Sequence, residues 1–174
     1  RKTAMITLIT GASHTGKTLL AQKLLEARRT TVLSMDLLKM GLIRSGTVKL
    51  SPEDDAGVEA VLWPIVVGMI RTAIENRRDL IVEGGYVPGN WAETFTAAER
   101  RQIEVRVLVM SDNYVREAFP RIKSEASAAE DRGDDGWATL EFLLEDNARF
   151  RRAFPAAEVI TSEADWVRLT SVER

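Results

Sequence analysis

The run Gly11-Ala12-Ser13-His14-Thr15-Gly16-Lys17-Thr18 constrains the fold of this chain more than any other stretch. It fits G-x-x-x-x-G-K-[ST], and its surroundings suit that pattern. Met5 to Thr10 before it reads as a short buried strand, and Lys17 to Arg28 after it as a helix with Leu20, Leu24 and Leu25 on one face. The glycines let the backbone curl so that successive N–H groups converge on phosphate oxygens. A helix beginning near Gly16 adds its positive dipole end. In such a loop Lys17 reaches the β- and γ-phosphates of a nucleotide, and the Thr18 hydroxyl serves Mg²⁺. Gly11, Ala12, Ser13, His14, Thr15, Gly16, Lys17 and Thr18 are therefore the candidate nucleotide-binding residues. His14, the single histidine of the chain, suits contact with a phosphate or the substrate, though a loop side chain facing solvent beside the nucleotide is the plainer reading.

The rest of the chain alternates between strands and helices. Thr31 to Ser34 is a second strand, and Leu37 to Arg44 a short helix ended by Ser45-Gly46. Ser51-Pro52-Glu53-Asp54 reads as a helix start, with Ser51 as N-cap and Pro52 first in the helix. The helix that follows puts Val58, Val61, Leu62, Ile65, Val66, Met69, Ile70, Ala73 and Ile74 on one broad face, with Pro64 expected to kink or split it. Leu80 to Glu83 is a third strand, Trp91 to Arg101 helical and Ile103 to Met110 a fourth strand. Asn113 to Ala129 is a charged helix interrupted at Pro120, Trp137 to Phe150 a further helix and Glu158 to Thr161 a last strand. Five strands separated by helices imply a parallel sheet covered on both faces, so the fold class is α/β.

In a parallel sheet, ligands gather at the carboxyl ends of the strands. Two acids end there. Glu83 follows the apolar run Leu80-Ile81-Val82, the pattern of an acid that orients Mg²⁺ or its waters. Asp36, just past the second strand, suits a catalytic base, a substrate ligand or the N-cap of the next helix. Arg116, Arg121, Lys123 and Arg132 lie on a segment that also carries Glu117, Glu125, Glu130 and Asp131. That pattern fits either a solvated helix or a lid bringing cations to a transferring phosphoryl group. Trp63, Tyr86, Trp91 and Trp137 read as core or interface residues, with Tyr86 and Trp91 of interest because they flank Val87-Pro88-Gly89-Asn90.

Composition removes other classes. The 24 Lys+Arg against 26 Asp+Glu leave a formal charge of −2, which does not suit a dedicated nucleic-acid binder. With no cysteine, disulfides, thiolate zinc sites and Cys nucleophiles are excluded together. No uninterrupted apolar run has the length of a membrane span, and the first ten residues are too short in apolar content for a secretory signal. A cytoplasmic setting without membrane partners is the expectation.

Gly11 to Thr18, Ser34-Met35-Asp36 and Leu80 to Asn90 together resemble the small P-loop kinases of the nucleoside monophosphate kinase-like group. The stretch Leu80 to Gly89 is similar to the third-strand segment of 2-phosphoglycerate kinases. Asp36 stands where chloramphenicol phosphotransferase-like and zeta-toxin-like kinases carry an acid near the acceptor hydroxyl. The resemblance implies a single P-loop NTPase domain over 1–174, a three-layer α/β/α fold whose five-stranded parallel sheet runs in the order 2-3-1-4-5, and a lid over roughly 113–136. It also implies ATP- and Mg²⁺-dependent transfer of the γ-phosphoryl group to a hydroxyl or phosphate of a small-molecule acceptor. Lys17, Asp36, Arg116 and Arg132 would then be catalytic, and Thr18 and Glu83 would serve the metal. A nucleotide-dependent ATPase or switch without a small acceptor is the alternative; a guanine-specific switch would normally carry N-K-x-D, which this sequence lacks.

Overall fold

The computed structural model describes residues 2–125 and 135–172. Its centre is β1 (Ile6–Gly11), hydrogen-bonded in parallel to β3 (Leu80–Glu83) on one side and to β4 (Ile103–Met110) on the other. Outside these lie β2 (Thr31–Ser34) against β3 and β5 (Glu158–Ile160) against β4. The five strands are all parallel, in the order β2-β3-β1-β4-β5. That is the expected architecture.

Side-chain alternation along each inner strand builds two cores. Ile6 and Leu8, Leu80 and Val82, and Val107 and Val109 point to one face, where α3 (Asp55–Glu75) lays down Val58, Leu62, Val66 and Ile70. Ile9, Ile81, Leu108 and Met110 point to the other, where α1 (Lys17–Arg28), α5 (Asp112–Glu125) and α7 (Glu163–Leu169) pack. The helix α6 (Leu140–Ala153) serves both, with Phe150 in the first core and Leu143 in the second. The short helix α2 (Met35–Arg44) follows β2 directly, and α4 (Ala97–Arg100) leads into β4.

Several helix boundaries depart from the sequence reading. α3 begins at Asp55, capped by Asp54, whose carboxylate accepts the Gly57 N–H at 3.1 Å; Ser51 and Pro52 precede it. Neither Pro64 nor Pro120 breaks its helix. Both rings are exposed, so the carbonyls that lose an intrahelical partner can turn to water. Trp91 to Arg101 divides into a single 3₁₀ turn (Trp91–Thr94) and α4, because Thr96 caps a new helix in a reciprocal pair with Glu99. α7 has no counterpart in the sequence reading; Ser162 caps it, accepting from the Asp165 N–H. α3 does contain a window long and apolar enough to cross a membrane, yet Leu62, Val66 and Ile70 are spent on the sheet.

Leu62 is 1% exposed and lies mid-way along α3. Leu62→Ala is expected to cost about 2–5 kcal/mol of stability, read as a lowered denaturation midpoint in urea.

Candidate active site

The carboxyl edge of the sheet brings the candidate residues together. Because β3 lies between β2 and β1, Glu83 is in register with Ser34 on one side and with Ile9 on the other. The β1–α1 loop, Glu83 and the start of α2 thus occupy three successive strand ends. Glu83 is buried, at 5% exposure.

The loop adopts the curl that its sequence predicts. Gly11 has φ 133°, and a Cβ there would lie 2.0 Å from the Leu108 carbonyl oxygen of β4, so only glycine fits. Gly16, at φ 95°, packs on Trp166 and Thr170, and a Cβ would meet the Thr170 methyl at 2.8 Å. The Lys17 ammonium donates to the Ala12 carbonyl at 2.6 Å, and the Thr15 hydroxyl donates to the same oxygen at 2.9 Å.

Helix N-termini leave amide hydrogens without intrahelical partners, and most helices here satisfy one with a side chain. Ser34 does so for α2, Asp54 for α3, Thr96 for α4, Ser111 for α5, Thr139 for α6 and Ser162 for α7. Among the described residues no side chain caps α1, and its first turn holds no acid. The positive dipole end of α1 thus lies at the loop without an acid in the first turn to offset it.

His14 differs from its expected place. Its side chain is only 1% exposed, held by Asp135 at 2.9 Å and edge-on to the Trp137 ring, whose centroid is 5.8 Å away. The correction has a long-range cause: the segment leading into α6 covers the loop. The Ser13 N–H donates to Asp146 of α6 at 2.8 Å, and Arg149 binds the other oxygen of that carboxylate at 2.8 Å.

Asp36 falls in the first turn of α2, and it is Ser34 that caps, its hydroxyl accepting from the Leu37 N–H at 3.3 Å. The capping role for Asp36 is overturned. Its carboxylate is exposed, and no described residue hydrogen-bonds it. One turn along α2, Lys39 donates to the Tyr86 hydroxyl at 2.7 Å, and that hydroxyl lies 3.4 Å from Asp55 of α3. Burial, reinforced by the negative charges of Asp36 and Asp55, drives the Tyr86 phenol well above its ordinary range, so it keeps its proton at neutral pH. Glu59, nearby on α3, is also raised, by burial first.

The expected lid cations fare unequally. Arg116 is exposed on α5 and forms no hydrogen bond or ion pair with any described residue. Arg121 is spent on the Tyr114 hydroxyl at 2.7 Å and on Glu163, and Lys123 on Asp135. Arg132 lies outside the described residues. Trp63 and Tyr86 are buried core residues and Trp91 packs against that core, whereas Trp137 is half-exposed above His14.

Sequence reasoning passed over Lys39, Asp55, Asp135, Asp146 and Arg149. A signal existed for one of them: Asp146 and Asn147 sit on the apolar face of α6 between Leu143 and Phe150, where polar residues need buried partners.

Comparison with solved structures places the fold among the small P-loop kinases. A gluconokinase from Sinorhizobium meliloti aligns at a TM-score of 0.55 and 13% identity, covering 98% of this chain and 91% of that one. A candidate kinase from Chloroflexus aurantiacus aligns at 0.55 and 23% identity, over 85% and 80% of the two chains. A shikimate kinase from Bacteroides thetaiotaomicron aligns at 0.50 and 14% identity, over 95% and 94%. No protein-family model matches the chain, and no curated protein matches it by sequence. The chain has the fold of these small kinases, with its G-x-x-x-x-G-K-[ST] run at the turn from β1 to α1.

Lys17 opens α1 inside this loop. Lys17→Ala is expected to leave the fold intact and weaken Mg·ATP binding by about tenfold or more, as loss of a charge-assisted contact to phosphate should. Equilibrium titration beside a thermal melt checks both halves.

Proposed function

We propose that this chain is an ATP- and Mg²⁺-dependent kinase that transfers the γ-phosphoryl group to a hydroxyl or phosphate of a small-molecule acceptor. The observation that carries the reading is the loop that enters α1: Gly11 at φ 133° and Gly16 at φ 95° curl it, and it delivers Lys17 and Thr18 to the start of a helix whose N-cap is a glycine. An anion completes it, and a nucleotide's phosphate chain has the charge and reach to do so.

The Thr18 hydroxyl and the Glu83 carboxylate offer hard oxygen donors, the set Mg²⁺ prefers, and they stand on the adjoining ends of α1 and β3. When bound, the ion neutralises charge on the phosphates. Lys17 leaves the Ala12 carbonyl for the phosphates. Asp36, open and exposed, accepts the proton of an acceptor hydroxyl and holds that oxygen toward the transferring group; an acceptor phosphate would need no such base. Lys39, one helical turn from Asp36, and the neutral Tyr86 phenol to which it donates orient the remainder of the acceptor. Among the described lid cations, Arg116 is the one without a hydrogen bond or ion pair, and it meets charge on the transferring group. The acceptor is a small molecule rather than a nucleic acid or a membrane component.

Incubation with ATP, Mg²⁺ and a panel of hydroxylated and phosphorylated metabolites tests the reading. A new phosphorylated product supports it, while slow hydrolysis with every compound would favour a switch. With a hydroxyl acceptor in hand, Asp36→Asn should lower phosphoryl transfer by about 10²-fold with ATP affinity and melting temperature little changed. Wild-type transfer would take Asp36 out of the mechanism. Arg116→Ala should cost more in kcat than in ATP affinity, as steady-state kinetics against direct binding would reveal.

A further inference from the structure

The proposed nucleotide site contains one backbone conformation that its own loop does not explain. His14 sits at φ 64°, in the left-handed region that L-residues other than glycine seldom occupy. Such a residue persists where its surroundings over-determine it. The other fastenings of the loop act beside it: Asp146 on the Ser13 amide, the Thr15 hydroxyl on the Ala12 carbonyl, and α7 under Gly16.

What grips His14 is its side chain. Nε2 lies 2.9 Å from one oxygen of Asp135, and the ring is edge-on to Trp137. The other Asp135 oxygen is bound by Lys123, in the last turn of α5, whose ammonium also donates to the Asp135 carbonyl at 2.6 Å. Hydrogen bonds from Lys123 and then His14 keep the Asp135 carboxyl below the usual carboxylate range. It therefore accepts only, and Nε2 carries the proton between them. The imidazole is thus committed to an acid that is itself anchored to another element.

We propose that His14 is a positioning residue: through Asp135 and Lys123 it locks the phosphate-binding loop to the end of α5 and so fixes the direction of the amides that follow it. Release of the side chain lets residue 14 relax toward φ below zero, which turns the Thr15 and Gly16 N–H groups away from a bound phosphate. The inference rests on the nucleotide-binding reading of the loop.

The test is titration of the full chain with Mg·ADP, beside thermal unfolding. His14→Asn tolerates the left-handed region but is too short to reach Asp135; His14→Gln reaches it with an amide N–H. His14→Asn and Asp135→Ala should each raise the Kd about tenfold, and the double variant should be no weaker than either single, because both cut one link. His14→Gln should recover to within about threefold of wild type, a rescue that a purely structural loss would not give. Losses that multiply in the double variant, Asn binding as well as wild type, or Gln no better than Asn would each overturn the proposal. If His14→Asn does not fold, Asp135→Ala with wild-type affinity serves as the refuting result. Failure of the wild-type chain to bind Mg·ADP overturns the nucleotide reading itself, and is told apart by needing no variant.

Discussion

The hydrogen bonds on both sides of β1 are the constraint on which the rest depends. A strand paired with β3 and β4 along its length cannot shift by one residue without turning Ile6 and Leu8 out of one core and Ile9 out of the other. The end of β1 is therefore fixed, and with it Gly11 against the Leu108 carbonyl. The loop beyond starts from a set point and direction, and α1 is laid on the sheet by Leu20 and Leu24. The same pairing sets Glu83 beside β1, and β3 in turn sets Ser34 and the first turn of α2. Strand register, decided by buried aliphatic side chains, places the polar groups.

What surrounds that edge is sorted by partner rather than by composition. Cations and acids nearly balance over the chain, yet they are distributed unevenly around the loop. Asp135 and Asp146 face the loop from the side of α6, each with a cation on its other oxygen. Asp36 and Asp55 lie on the opposite side, around Tyr86 and Lys39. The first pair is committed to structure. Asp36 is open, and it is this difference in commitment, more than carboxylate identity, that separates a fastening from a group able to react.

The strands, their order and the loop were legible because each rests on local signals: apolar runs bounded by turn residues, and a glycine pattern with one backbone solution. The strand order came through resemblance, since no periodicity states which strand lies beside which. Helix starts were harder. Ser51-Pro52 and Asp54 both suit an N-cap, and only packing of Val58 and Leu62 on the sheet decides for Asp54. Pro64 and Pro120 leave their helices unbroken because a proline's cost depends on which side of the helix it faces. His14 was misplaced for a more general reason. Its burial is supplied by Asp135 and Trp137, more than a hundred residues away, and nothing around position 14 announces them.

That separation has a consequence for how the chain matures. The motif at residues 11 to 18 precedes all of its supports in the chain, Leu108, Asp135, Asp146, Trp166 and Thr170, so it leaves a ribosome before any of them. β1 itself waits for β3 and β4 to gain its neighbours. Pairings this distant carry a high loop-closure cost and are late to form. The loop is therefore made before the groups that finish it, and a nascent chain would complete it only when α7 has emerged and docked.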